Sequence, residues 1–544
     1  MKFNLKNYFS SILLACLLFF ANGCINDLNV ESIDPNYESE VNLDALFLKI
    51  YATLALTGQE GPDGNGDIAD FDEGTSSFFR TIFSMNEFCA DMIYWIWPDV
   101  GVDDIRSASW TASNSLIKGL YSRLTFNITL CNFYLSETEN LTDNSTLSKR
   151  AEVRFLRALN YYYLLDMFGN VPFLTVVSKE KPEQIKRPDL YAWLVEELID
   201  LEPGLADAGN RISYYRVDKA AAWLLLSRIY LNAEVYTGKE DYNNAALYAK
   251  KVIDSPYQLA SKYSYLFMGD NNILSALNDA HNEIILPIAQ DGLFTRSWGG
   301  SMFLIAATHT EGMSPWGITE SWKCIRSRYE LVELFFPYAP EYDNINNAFI
   351  KGEEAEMIAA AKDDRAMFCN YREYGTNNSI KCLLRRPHPS DAILSGWLIT
   401  KFTNHFVDPN RKPTDSMWPD MDIPFMRKAE AYLNYAEAVV RGATPLGMSD
   451  VEAINDLRKR ANATELTSVT IDDILKERGR EFFCEGYRRS DLIRFDKFGG
   501  NTGYYWEWKG GVSGGIHFDK FRNLYPLPQS EIIGNTNLEQ NEGY

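Results

Sequence analysis

Between residues 219 and 254 the apolar side chains recur at a spacing that one kind of backbone can use. Ala222, Leu225, Leu226, Ile229, Tyr230 and Ala233 fall at i, i+3, i+4, i+7, i+8 and i+11, the stripe of an α-helix with one buried face. A second stripe follows in 241–254 through Ala245, Ala246, Tyr248, Ala249 and Val252. Alanines at these inner positions let two helix backbones approach closely. A chain that opens one helix directly after another in this way builds its core by stacking helices.

The same arrangement recurs at 426–441, through Ala429, Tyr432, Leu433, Ala436 and Val440, followed by 449–462 through Val451, Ile454, Leu457 and Ala461. A third pair joins 114–136 to 151–168, where Phe155, Leu159 and Tyr162 mark the stripe, and a fourth involves 42–57 and 189–205. The spacing predicts a mostly α fold: a tetratricopeptide-like scaffold of about four helix pairs, with minor β structure. Three Gly- and aromatic-rich stretches, 58–113, 270–330 and 499–528, interrupt it. Loops of that length in a compact protein are usually functional, and a helical scaffold can gather them on one binding face.

The first residues carry a different pattern. Lys2 and Lys6 precede the apolar run Ile12-Leu13-Leu14-Ala15-Cys16-Leu17-Leu18-Phe19-Phe20, which closes on Ala21-Asn22-Gly23-Cys24. This is the layout of a secretory signal. The run is shorter than the about 20 residues needed to span a bilayer. A cysteine directly after Ala-x-Gly predicts cleavage before Cys24 and lipidation of its thiol; a plain signal peptide with an incidental cysteine is the alternative. Residues 25–544 are expected to form one large domain, since no Gly/Ser- or Pro-rich linker divides them.

The chain has a net charge of −21, and removal of residues 1–24 takes away two lysines and no acid. Such a surface repels polyphosphate and anionic lipid, which argues against nucleic-acid binding and leaves the lipid as the membrane anchor. The six cysteines beyond Cys24 (Cys89, Cys131, Cys324, Cys369, Cys382, Cys484) have no CxxC spacing, and the five histidines no HExxH. Zinc is not expected, and the cysteines read as small buried hydrophobes.

Four segments, in order, carry a family resemblance. They are Ala151-Glu152-Val153-Arg154-Phe155-Leu156-Arg157-Ala158-Leu159 with Phe168-Gly169-Asn170-Val171-Pro172; Ala429 to Ala438 with Ile454-Asn455-Asp456-Leu457-Arg458; Glu477 to Phe482 with Glu485-Gly486-Tyr487-Arg488-Arg489-Ser490-Asp491-Leu492-Ile493-Arg494; and the tail Leu524-Tyr525-Pro526-Leu527-Pro528, ending Asn537 to Tyr544. With the lipobox, they make the chain resemble the SusD/RagB family of nutrient-binding lipoproteins. The resemblance implies a helical fold on four tetratricopeptide-like units and anchoring in the outer membrane, facing outward. It also implies a partner, a SusC-like TonB-dependent transporter over which the protein sits as a lid. Asp27 and Glu31 resemble the acidic stretch that marks such lipoproteins for surface display. The motif charges Glu152, Arg154, Arg488 and Asp491 read as structural ion pairs rather than catalytic groups.

A glycan offers an apolar C–H face and a rim of hydroxyls, so a receptor needs flat aromatic platforms beside planar hydrogen-bonding groups. Trp95 and Trp97 alternate in an extended stretch, which would put them on one side, with Asp99 adjacent. SusD-like proteins use the corresponding region for ligand. Trp298 and Trp316 stand among glycines, where a large apolar ring is costly to expose without a purpose. Arg80 and Asn86 are candidate hydrogen-bonding partners, and Trp322 reads as core. Tyr504-Tyr505-Trp506-Glu507-Trp508 is a third aromatic cluster, or a β-hairpin packed on the scaffold. Core packing is the alternative for each tryptophan.

The acidic loop Asp63 to Glu73 places Asp63, Asn65 and Asp67 at the opening spacing of an EF-hand, with Asp70 and Asp72 beyond. It reads either as a structural Ca2+ site or as a solvated turn, because Ile68 and Gly74 stand where an EF-hand needs Gly and Glu. No other cofactor is implied. The function expected is non-catalytic capture of oligo- or polysaccharide for the transporter. A peptide ligand in the same role, or a surface glycoside hydrolase with two carboxylates across the scissile bond, are the competing readings.

Overall fold

A computed structural model describes residues 41–209, 214–274, 277–313, 315–337, 352–374, 378–381 and 396–544. The signal-like segment, Cys24, Asp27, Glu31 and Cys382 lie outside the described residues.

The paired helices form where the periodicity places them, and polar caps set the starts of several. The principal ones are α1 (Leu43–Ala55), α2 (Phe78–Glu87), α3 (Ser115–Glu137), α4 (Asn144–Met167), α5 (Arg187–Leu201), α6 (Lys219–Leu231), α7 (Tyr242–Ile253), α8 (Ser301–Thr308), α9 (Lys428–Val440), α10 (Asp450–Arg460), α11 (Ile471–Phe482) and α12 (Arg488–Arg494). Asn114 accepts from the amides of Leu116 and Ile117 at the start of α3, and Asp218 from those of Ala220 and Ala221 at α6. Ser449 with Glu452 and Thr470 with Asp473 form reciprocal capping boxes on α10 and α11. Ala245, Ala246 and Ala249 are fully buried, so α7 lies close between α6 and α9. The fourth predicted pair is arranged differently. Phe47 of α1 meets Tyr134 of α3 at 5.9 Å, and Tyr51 of α1 donates to Glu152 of α4 at 2.6 Å. Helix α5 packs on α4 instead, where Arg154 and Arg157 both donate to Glu197.

The β content is a set of two-stranded antiparallel ribbons. Two of them matter here: β1 (Ile93–Trp95) with β3 (Ile325–Ser327), and β2 (Ile284–Ile288) with β4 (Ile423–Arg427). The stretches expected to be loops therefore hold structure, including α2, β1, α8 and β3. Cys89, Cys131, Cys324, Cys369 and Cys484 are free and buried.

The motif residues make ion pairs across elements. Arg228 of α6 grips Glu430 of α9 with two bonds of 2.6 and 2.7 Å. Glu152 pairs with Arg216, and Asp491 with Arg478 and Arg494. Arg427 bridges Glu283, Glu481 and Glu485, while Arg365 and Arg460 also reach Glu481. Every member of that network is buried except Arg460 and Glu485, which are half-buried. Mutual pairing is what makes so many buried charges tolerable.

The third motif also reaches forward to the platform region. Arg488 donates to both oxygens of Asp91 at 2.7 and 2.8 Å. The amides of Gly486 and Tyr487 donate to Glu87 Oε1 at 2.9 and 3.2 Å. The end of α2 and the approach to β1 are thus tied to the helical scaffold through residues 486–488.

Candidate functional site

Helix α2 begins at Ser77, whose side chain accepts from the Arg80 amide and donates to the Gly299 carbonyl at 3.1 Å. A Cβ on Gly299 would lie 2.0 Å from Ser77 Oγ, and one on Gly74 would lie 2.7 Å from the Trp298 Cβ. The glycines beside Trp298 thus serve close approach: they bring the 297–300 loop onto the start of α2. The Trp298 amide donates to Glu73 at 2.9 Å, fixing the loop from the other side.

Four tryptophans stand in a row along this junction. Trp97 lies 6.3 Å from Trp322 with planes inclined 37°. Trp322 lies 6.0 Å from Trp298 at 41°, and Trp298 lies 4.7 Å from Trp418 at 54°. Trp97 is exposed, Trp322 and Trp298 are half-buried, and Trp418 is buried. No two neighbouring rings are coplanar, so the surface they form is bent.

Trp322, expected in the core, is the central ring of this row. Its position follows from Lys323, which adopts a positive φ of 52°, and from the Trp322 amide bonding the Ala306 carbonyl at the end of α8. Trp418 was not anticipated; Asp415 caps the turn that presents it, accepting from the Met417 and Trp418 amides.

Trp95 does not serve as an exposed platform. It is 1 % exposed, stacks on Phe303 at 5.8 Å, and meets Trp97 edge-on at 5.8 Å. Trp95 lies in β1, opposite Ile325 and against the core, so its role is to support Trp97 from beneath. Its Nε1 donates to Asp99 Oδ2 at 3.0 Å, which spends one oxygen of the exposed Asp99 on holding the turn. Asn86 is corrected in the same way: at 2 % exposed it is buried in the protein interior. Trp316 is half-buried and stacks on His309 at 5.3 Å, and its Nε1 donates to the Glu320 carbonyl. Burial pulls the His309 imidazole down to about 4, so this stack carries no charge at neutral pH. Trp506 is core too, 2 % exposed and stacked on Phe498, and no strand forms there.

Arg80 is half-buried beneath the row. Its guanidinium carbon lies 4.8 Å from the Phe303 ring centre, 5.7 Å from Trp95 and 5.9 Å from Trp322. Nη1 donates to the Trp298 carbonyl at 3.4 Å. Burial lowers its proton affinity, and Cys324, Asp72, Asp99 and Glu73 partly restore it. A cation held among aromatic faces with donors to spare suits a hydroxyl-rich ligand.

The acidic loop does not fit Ca2+. Asp67 accepts from Lys49 Nζ at 2.7 and 2.8 Å and from Arg123 at 3.4 Å, so two cations already hold its carboxylate. Asn65 donates to Glu60. Among the described residues, no group of three or more His, Cys, Asp or Glu side chains is placed to hold a metal ion.

Comparison with known proteins gives one consistent result. Residues 319–544 match the model of the SusD family. The chain is 41% identical to the starch-binding protein SusD of Bacteroides thetaiotaomicron, over 99% of both chains. A SusD-like protein of Bacteroides ovatus is 23% identical over 92% of this chain and 84% of its own. Among solved structures, surface glycan-binding protein A from Bacteroides fluxus superposes with a TM-score of 0.66 at 19% identity, covering 93% of this chain and all of that one. The corresponding protein from Bacteroides thetaiotaomicron, in complex with laminarihexaose, gives 0.63 at 20%, covering 92% and 98%. The last two show the shared fold; the identity to the starch-binding protein along the whole length settles the relationship. The chain belongs to the SusD family.

Proposed function

We propose that the protein is a non-catalytic receptor for α-glucan oligosaccharides, which binds them along Trp97, Trp322 and Trp298, with the buried Trp418 backing the end of the row. The observation that carries this reading is the row itself: rings about one sugar unit apart, each inclined to the next, with Arg80 alongside. A coiling glucan turns its successive C–H faces, and a bent platform can follow it; a flat ribbon-like glycan meets such a platform at one ring at a time. The name of the full-length relative, a starch-binding protein, points to the same ligand class.

The receptor acts at the cell surface. Lipid on Cys24 holds it to the outer membrane, and it passes captured chains to a SusC-like TonB-dependent transporter beneath it. Among the described residues, no helix is long and apolar enough to cross a membrane. The acidic surface is compatible with neutral glycans and gives no electrostatic hold on anionic lipid.

The test is electrophoresis of soluble 25–544, with Cys24 replaced, through gels containing starch, glycogen, flat β-glucans or no polysaccharide. Retardation by starch and glycogen, without release of reducing sugar, is the expected result. Retardation only by β-glucans, or sugar release, contradicts the proposal.

A further inference from the structure

Beside the tryptophan row, a cavity of about 280 Å3 opens between α2, the 70–75 loop and the start of α3. Arg80, Trp95 and Asp99 line it as well as the row, so the two spaces share a wall. Arg80 meets Trp322, the second ring of four, which places the cavity at the side of the row rather than at its end.

Two observations mark the cavity as a binding space. The first is Ser84, on its α2 wall: it is 4 % exposed, and its hydroxyl makes no hydrogen bond among the described residues. A buried helical serine ordinarily bonds the carbonyl one turn back, as Thr81 does with Ser77. The Ser84 hydroxyl instead stays open to the cavity and takes its hydrogen bond from whatever fills it. The second is the lining. Phe71, Val100 and Leu116 give apolar faces, while Asp72 and Asp99 stand exposed near the opening, each engaged through one oxygen. Apolar walls with acceptors at the rim match a pyranose ring, which presents C–H faces and outward hydroxyls. The volume is that of roughly nine waters, room for a single such ring.

We propose that this cavity takes one glucosyl residue branching from the glucan that lies on the tryptophan row, with Ser84 hydrogen-bonding the branch sugar. This rests on the α-glucan reading above and adds to it: the protein prefers branched over linear chains.

The test compares binding of maltoheptaose with binding of maltoheptaose carrying one glucosyl branch, by calorimetry on the wild type, Ser84→Leu and Ser84→Ala. The wild type is expected to bind the branched chain about tenfold tighter. Ser84→Leu, which fills the cavity, brings the branched chain to the affinity of the linear one and leaves the linear one unchanged. Ser84→Ala keeps the cavity and costs the branched chain about threefold, so it decides the matter if Ser84→Leu does not fold. Equal affinities in the wild type, or an equal loss for both chains in the variants, overturn the branch subsite and leave the row intact. Binding of neither chain by the wild type overturns the α-glucan reading, and this inference with it.

Discussion

A guanidinium that bonds one carbonyl 3.4 Å away among the described residues, as at Arg80, keeps most of its five donors for an incoming ligand. The neighbouring rings hold it in place without using those donors. Among the tryptophans, the account separates Trp322 from Trp316, both half-buried, by what they touch. Trp322→Ala removes the middle ring and is predicted to weaken glucan binding by about 1–3 kcal/mol, by analogy with aromatic stacking on bases. Trp316→Ala, stacked away on His309, is predicted to leave affinity unchanged. Calorimetry on both folded variants checks this, and equal losses would remove the distinction. The sequence marked Trp97 and Trp298 as site candidates through their turn-rich surroundings. It ranked Trp95 as a site residue and Trp322 as core, the reverse of what is found, because burial there depends on which strand edge faces the core. Trp95 faces inward from β1, and Trp322 is turned outward by the positive φ at Lys323.

At the scale of elements, longer apolar stripes were legible and short helices inside turn-rich stretches were not. Helices α3, α4, α6, α7, α9 and α10 run for 11 residues or more. Helices α2 and α8 have 10 and 8 residues and lie between glycine- and aromatic-rich turns, too short for the period to stand out. The element carrying the site was therefore the hardest to see. Its far end rests on a carboxyl, Glu87, whose neighbours are Asp91 and Arg488. Burial raises that carboxyl to about 7, despite two amide donors and Arg488. A group raised in the folded state adds stability that is complete below its ordinary value near 4.5 and is lost as pH rises through about 7. Glu477 works in the opposite sense. Burial raises it, but Arg365, Arg480 and Arg458 outweigh that and hold it at about 2, so its contribution is lost as pH falls from about 4.5 through 2. Thermal melts of wild type and Glu87→Gln at pH 5.5 and 8 are predicted to show a smaller drop for the variant. The difference is up to about 2 kcal/mol, since about 1.5 of the roughly 2.5 pH units between the two values fall in this window. An identical drop in both would mean that Glu87 does not titrate in this range.

At the scale of the whole molecule, the helical pairs form the rigid part and the chain gathers distant segments onto it. Residues near 80, 97, 298, 322 and 418 meet in one row although hundreds of positions separate the first from the last. Such convergence is a property of the fold and leaves little local signal, which is why the motifs identified the family yet did not mark the ligand site. The motifs nonetheless act on that site, through Gly486, Tyr487 and Arg488 holding Glu87 and Asp91. The central claim is that a bent row of tryptophans selects a coiling glucan. The most direct measurement is calorimetric titration of soluble 25–544 with maltoheptaose and with the flat β-1,4-glucan cellohexaose, repeated on Trp97→Ala, Trp298→Ala and Trp322→Ala. The account predicts saturable binding of maltoheptaose, at least tenfold weaker binding of cellohexaose, and loss of maltoheptaose affinity in each variant. Undiminished maltoheptaose affinity in all three folded variants would contradict it.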